Sequence, residues 1–232
     1  MKLNKVLALA LSGVMAVSML AGCSGNSGNG GQEGEGEPPV VDNSLTGQVI
    51  SALSKDTADK VTFTSDNALG VTLQKAIDNA GYKYDELKNS SNANIIANLM
   101  GQVDSDLKNE ILPYINDNSA NYTNREDSDK KEQNAFGVVV FDGQGYGAEY
   151  AVKQLAAEIE KQDVMGQTGS KLFKISELPT YTDDYGKAGD EYYYTFKYTG
   201  TMSVVTVADT ITGQTVYVAA YTITRTPTKV EK

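Results

Sequence analysis

The spacing of apolar residues predicts that the first half of the chain is mainly helical. Between residues 66 and 81 apolar side chains recur every three or four positions, and Gly81 is placed to end the helix. A longer stripe of the same period begins near residue 93 and continues to residue 115, interrupted by Pro113, which ends or kinks a helix. Shorter patterns predict a helix over 45–53 and a strand over 61–64.

The second half of the chain has the patterns of strands. The apolar run at 136–141 predicts a buried strand, a helical stripe follows over 148–163, and a further strand is expected at 171–175. Segments 192–199, 203–211 and 215–226 are rich in Tyr, Val and Thr, and turns at Gly200 and at 212–214 would join them into an antiparallel meander. The fold expected is α+β, with helices mainly from the first half packed on a mostly antiparallel sheet from the second half. We expect a single two-layer domain over 44–232.

The first 23 residues have the layout of an export signal. Lys2 and Lys5 precede an uncharged, mostly apolar run over 6–20, and small residues lead to the only cysteine of the chain, Cys23. The ending Leu-Ala-Gly-Cys resembles the lipobox of bacterial lipoproteins. The resemblance implies cleavage between Gly22 and Cys23, and a diacylglycerol with acyl chains such as palmitate on Cys23. Two acyl chains hold a protein stably at a membrane, so the resemblance predicts an extracytoplasmic domain anchored to the outer face of the bacterial cytoplasmic membrane.

Two other interpretations of this leader are weaker. A retained transmembrane helix requires about twenty apolar residues, whereas this run is shorter and contains Ser12, Gly13 and Ser18. A secreted protein with a free thiol is the other interpretation. It is less favoured because the only cysteine would then stand at the cleavage position by coincidence. After Cys23, the Gly-, Ser-, Asn- and Glu-rich residues to position 43 predict a flexible tether that spans roughly 25 Å.

Charge and missing residue types exclude several function classes. The chain has 30 acidic and 20 basic residues, a balance that argues against nucleic acid as a partner. Without histidine, and with its one cysteine assigned to lipid, the chain has no histidine-assisted nucleophile and no thiolate zinc site. Asp117, Ser119 and Asn121 have the spacing of a calcium loop, but Tyr122 stands where its glycine belongs. We therefore expect no metal and no cofactor, and regard an enzyme as less favoured than a binding protein.

Two segments are candidates for ligand binding. Gly143, Gly145 and Ala148 match the G-x-G-x-x-A spacing of dinucleotide loops, but neither a ribose-binding acid at the right distance nor further strand–helix units follow. The glycines Gly143, Gly145 and Gly147 are thus interpreted as a strand-to-helix turn and as a candidate anion- or ligand-binding loop.

The second candidate is an aromatic row on one face of a strand. It consists of Tyr192, Tyr194, Phe196 and Tyr198. The row predicts either core packing or an open stacking platform. The leading hypothesis is a noncatalytic module that binds a glycan, a peptide or an envelope protein. An accessory subunit of an envelope complex and a carboxylate-based hydrolase, using acids such as Asp184 and Glu191, are the alternatives.

Overall fold

The computed structural model of the chain describes residues 42–88, 93–107, 129–167, 171–182 and 184–232. The predicted leader, Cys23 and nearly all of the predicted tether lie outside these residues. So do the tested calcium positions, Pro113 and the end of the second predicted helix.

Six α-helices lie within the described residues. They are α1 Leu45–Ala52, α2 Lys55–Ala58, α3 Asn67–Ala80, α4 Tyr84–Leu87, α5 Ala93–Leu107 and α6 Ala148–Lys161. The start of α3 is set by Asp66, whose carboxylate accepts a hydrogen bond from the Leu69 amide at 3.0 Å. Its end is set by Gly81, which adopts a left-handed conformation with φ of 67°. The local pattern therefore predicted α3 correctly.

Four strands form the main sheet in the order β1, β5, β6, β2. They are β1 Val61–Ser65, β2 Gln133–Asp142, β5 Tyr192–Ala208 and β6 Thr215–Glu231. Strand β1 runs parallel to β5, whereas β5 with β6 and β6 with β2 are antiparallel pairs. Strands β3 Asp163–Gln167 and β4 Lys171–Lys174 make a separate hairpin. The α+β class with a mostly antiparallel sheet is confirmed.

The predicted turn at Gly200 is wrong. Strand β5 runs through Gly200 without interruption. It is 17 residues long and pairs along its whole length with β6. Glycine is needed at position 200 because a Cβ there would overlap with the ring of Phe63 in β1 and would lie 2.8 Å from the carbonyl oxygen of Thr222. The region is thus one long hairpin, turned only over 209–214, where the Asp209 amide donates to the Gln214 carbonyl.

Helices cover both faces of the sheet, so the molecule has three layers and the two-layer expectation is wrong. On one face α1 and α6 pack on the sheet in a cluster that includes Val49, Leu155 and Tyr221. On the other face α3, α4 and α5 form a second cluster that includes Leu73, Leu87, Leu99 and Val218. Alternate residues of β2 enter the two clusters, which explains why its sequence is a continuous apolar run.

Candidate functional site

The tyrosine row faces the interior of the protein. Tyr194, Phe196 and Tyr198 are buried, and the Tyr198 hydroxyl donates to the Pro179 carbonyl at 2.7 Å. Tyr192 is half-buried, with the Lys229 ammonium 4.0 Å from its ring centroid. The row belongs to the same cluster as Ile175 and Leu178, so the open platform is wrong and the core interpretation is correct.

A buried ionic cluster lies beside this row. The carboxylate of Asp129 is 3.6 Å from the guanidinium of Arg225 in β6, and both side chains are almost fully buried. Asp129 also accepts hydrogen bonds from the hydroxyls of Thr182, at 3.0 Å, and Tyr185. The guanidinium of Arg225 lies 4.2 Å from the centroid of the Phe196 ring. These contacts hold Asp129, Thr182 and Tyr185 against β6. Sequence patterns could not reveal the cluster, because its members are far apart along the chain.

Three backbone amides of the glycine loop between β2 and α6 are used within the protein. The Gly143 amide donates to the Thr215 carbonyl at 2.9 Å, and the Gln144 amide donates to the Asp142 carboxylate at 3.0 Å. The Tyr146 amide donates to the Gly143 carbonyl at 2.7 Å. An anion site requires amides that point towards the ligand. The loop over Gly143, Gly145 and Gly147 is thus the predicted strand-to-helix turn, and the amides of Gly143, Gln144 and Tyr146 are not available to an anion.

The topology around this loop also differs from that of a dinucleotide-binding unit. Helix α6 leads into β3, which pairs only with β4 in the separate hairpin, and β2 pairs with β6 in antiparallel orientation. A βαβ crossover would instead return the chain to a parallel strand in the same sheet. The G-x-G-x-x-A spacing is thus explained by the glycines of a tight turn and does not indicate a dinucleotide site. Gly145, with φ of 73°, supplies the left-handed conformation that the turn requires.

The same loop presents two aromatic rings to solvent. Tyr146 precedes α6 and is 54% exposed, and Tyr150, one helical turn further, is 46% exposed. Their ring centroids are 4.6 Å apart and the ring planes are tilted by 44°. Exposed aromatic rings in contact form a surface on which a planar or ring-shaped ligand can stack. The tyrosine row can be recognised in the sequence because it is periodic, whereas this pair is recognisable only as two tyrosines at an i, i+4 spacing.

The hairpin turn between β5 and β6 lies beside Gly145 of this loop and carries polar groups. Gln214 is positioned by the Tyr84 hydroxyl, which donates to its side-chain oxygen at 2.7 Å. Its amide nitrogen lies 3.8 Å from the position that a Cβ of residue 145 would occupy. Ile211, on the same turn, is 92% exposed. We call Gln144, Tyr146, Tyr150, Ile211 and Gln214 the loop-end surface.

The electrostatics keep Tyr84 as a hydrogen-bond donor. Burial of its hydroxyl raises the pKa of Tyr84, and the nearby carboxylates of Asp142 and Asp209 raise this pKa further, against the opposing effect of Lys88. The hydroxyl is therefore protonated at neutral pH and holds Gln214 in one orientation. The loop-end surface thus combines two exposed rings in contact with an oriented amide.

Within the described ranges no helix is long and apolar enough to cross a membrane, and no three acidic or cysteine side chains come close enough together to hold a metal ion. Comparison of the chain with protein-family models, with curated proteins and with solved structures finds no match.

Proposed function

We propose that the protein is a lipid-anchored, noncatalytic module on the outer face of the bacterial cytoplasmic membrane that binds an envelope glycan through its loop-end surface. The observation that carries this proposal is the exposed pair of rings in contact, Tyr146 and Tyr150. The lipid on Cys23 would supply the membrane attachment.

The chemistry of the loop-end surface favours a sugar as ligand. The apolar face of a sugar ring can stack on a tyrosine, and its hydroxyls can bond to amides such as those of Gln144 and Gln214. Asp142 and Glu149 flank the rings, and the chain has a formal net charge of −10, so an anionic polymer would be repelled.

An accessory role in an envelope protein complex is the second candidate, and the exposure of Ile211 favours it. An apolar side chain that is 92% exposed is the kind of anchor that a protein partner covers. Co-purification of one stable protein, lost on changing Ile211 to Asp and retained after removal of glycan, would favour this role over glycan binding.

The binding site is tested by sedimentation of the full chain with insoluble cell-wall glycan in mild detergent. Replacing Tyr146 and Tyr150 together by alanine should weaken binding about tenfold or more, because each lost ring contact is worth about 0.5–1.5 kcal/mol. Tyr181→Ala is the matched control, since Tyr181 is 67% exposed elsewhere on the protein. Equal binding by the parent chain and the double variant would refute this site.

The anchor is tested separately in the producing bacterium. Cys23→Ala should move the protein from the membrane fraction to the medium or leave it as unprocessed precursor, because only the cysteine thiol can accept the diacylglycerol. Ser24→Ala should remain in the membrane fraction. A Cys23→Ala protein that is processed and still sediments with membranes would show that the lipid is not the anchor.

A further inference from the structure

The exposed part of the sheet carries an array of threonines. Nine of them lie on the face opposite the tyrosine row, and all are exposed or half-exposed: Thr62, Thr64, Thr195, Thr199, Thr201, Thr222, Thr224, Thr226 and Thr228. We call these nine residues the threonine face. Further along the same side of β5 the helical layer covers the sheet, and Ser203 and Val205 are buried.

Strand register arranges these threonines in rows across the sheet. Thr62, Thr199 and Thr224 are register partners in one row. Thr64, Thr201 and Thr222 form the next row, and Thr195 lies opposite Thr228. Neighbouring strands are about 4.8 Å apart, so each row presents a hydroxyl and a methyl group at that interval.

The threonine face has few charges. In a chain with 22% charged residues, Lys197 lies among these threonines and Glu132 lies at their margin, where its carboxylate accepts from the Thr226 hydroxyl at 3.5 Å. A surface depleted of charge is typical of the centre of an interface rather than of an ordinary solvated face. Its neutrality suits a neutral ligand.

Several hydroxyls of this face make hydrogen bonds within the protein, and those of Thr201 and Thr222 bond to each other at 2.8 Å. The Thr64 hydroxyl donates to the Gly200 carbonyl and the Thr195 hydroxyl to the Thr228 carbonyl, each at 3.4 Å. The Thr224 hydroxyl donates to the Asn134 side-chain oxygen. Because a hydroxyl has one proton and two lone pairs, the hydroxyls that donate within the protein can still accept hydrogen bonds, and a ligand that supplies donors can bond to them.

The hydrogen-bond donors that a ligand offers distinguish between possible occupants of the threonine face. An apolar protein surface would desolvate these hydroxyls without bonding to them, at a cost of about 1–3 kcal/mol for each. A polyanion would offer acceptors rather than donors, and the acidic chain would repel it. A polysaccharide has hydroxyl donors along its whole length and apolar ring faces that can contact the threonine methyls.

We infer that the threonine face is an extended binding surface for a neutral β-1,4-linked polysaccharide chain. The strand spacing is close to the length of one sugar ring in such a chain, so a chain that crosses the strands meets one threonine per sugar in each row. This surface is separate from the loop-end surface, and the inference does not depend on the function proposed above.

The test is calorimetric titration of the full chain with two probes, the β-1,4-linked hexamers of N-acetylglucosamine and of glucose. Replacing Thr62, Thr199 and Thr224 together by valine removes one row of hydroxyls but keeps the β-branched shape. Affinity for the bound hexamer should fall tenfold or more. Thr206→Val is the matched control, because Thr206 is exposed on the other face of β5.

A second variant, Thr199→Lys, keeps the test decisive if the triple variant folds poorly. This exposed side chain can be enlarged without disturbing the core, and the lysine should obstruct the row and reduce affinity at least as much. Binding of neither hexamer by the parent chain would overturn the inference, as would unchanged affinity in a folded Thr199→Lys variant. If only the double alanine variant of Tyr146 and Tyr150 loses affinity, the loop-end surface alone binds glycan and the threonine face does not.

Discussion

Gly200 shows how a single position depends on a residue distant in sequence. Phe63 lies in β1 and packs its ring directly over Gly200 at the centre of β5. The ring of Phe63 also meets that of Tyr221 edge-on, with centroids 6.4 Å apart. Glycine at position 200 therefore allows β1 to approach the hairpin closely, and its role is packing rather than chain reversal.

Gly200→Ala should destabilise the protein by about 1–3 kcal/mol, because the added methyl must displace Phe63 or the strand backbone. Urea unfolding followed by circular dichroism measures this change. Gly101→Ala is the control: Gly101 lies within α5 with open space around its Cα, so alanine there should stabilise the protein by about 0.5–1 kcal/mol. A Gly200→Ala protein as stable as the parent would contradict the packing role.

At the scale of elements, the pair of Asp129 and Arg225 joins irregular segments to the sheet. The residues around Thr182 lie next to β5, where the Thr182 amide donates to the Tyr194 carbonyl at 2.9 Å. The Asp129 carboxylate connects this segment to β6 through Arg225. One buried carboxylate thus links three parts of the chain.

Asp129→Asn should destabilise the protein by about 3–5 kcal/mol, because it leaves the buried charge of Arg225 without its counterion. Thermal and urea unfolding measure the loss. Glu149→Gln is the control, since Glu149 pairs with Lys153 on the exposed surface of α6 and its loss should cost much less stability than loss of the buried pair. Equal effects of the two changes would mean that the buried pair contributes no more than a surface pair.

At the scale of the whole molecule, buried tyrosines connect stability to alkaline pH. Burial raises the pKa of Tyr198 and of Tyr217 on one side of the sheet. Burial also raises the pKa of Tyr84 on the other side. The folded protein therefore holds these protons more tightly than the unfolded chain does. The contribution of these tyrosines to stability is constant below the ordinary tyrosine pKa of about 10 and falls as pH rises above it.

Tyr198→Phe should separate two contributions of the Tyr198 hydroxyl to stability, its hydrogen bond and its titration at alkaline pH. At pH 8 the variant should lose about 1 kcal/mol, because the Pro179 carbonyl loses its hydrogen bond. Between pH 10 and 11 its stability should decline less steeply than that of the parent. Urea unfolding across this range measures both effects, and parallel pH profiles would show that Tyr198 does not contribute to the alkaline loss.

Local sequence determined the elements whose causes are local. Asp66 and Gly81 set the ends of α3, the run at 136–141 set most of β2, and the turn over 209–214 lies close to its predicted place. Capping, periodicity and turn chemistry act over a few residues, so one stretch of sequence contains all the information required. The α+β class follows from the order of these elements.

Tertiary structure decided every property that depends on contacts between distant segments. The alternation in β5 showed that Tyr192, Tyr194, Phe196 and Tyr198 share one face and that Thr195, Thr199 and Thr201 share the other. Only packing determined that the tyrosine row is covered and the threonine face is exposed. The loop-end surface likewise arises because the turn that carries Gln214 folds beside the loop that carries Tyr146. The period of a strand indicates which residues share a face, but it does not indicate which face is covered. Burial depends on how the helices and the sheet pack together.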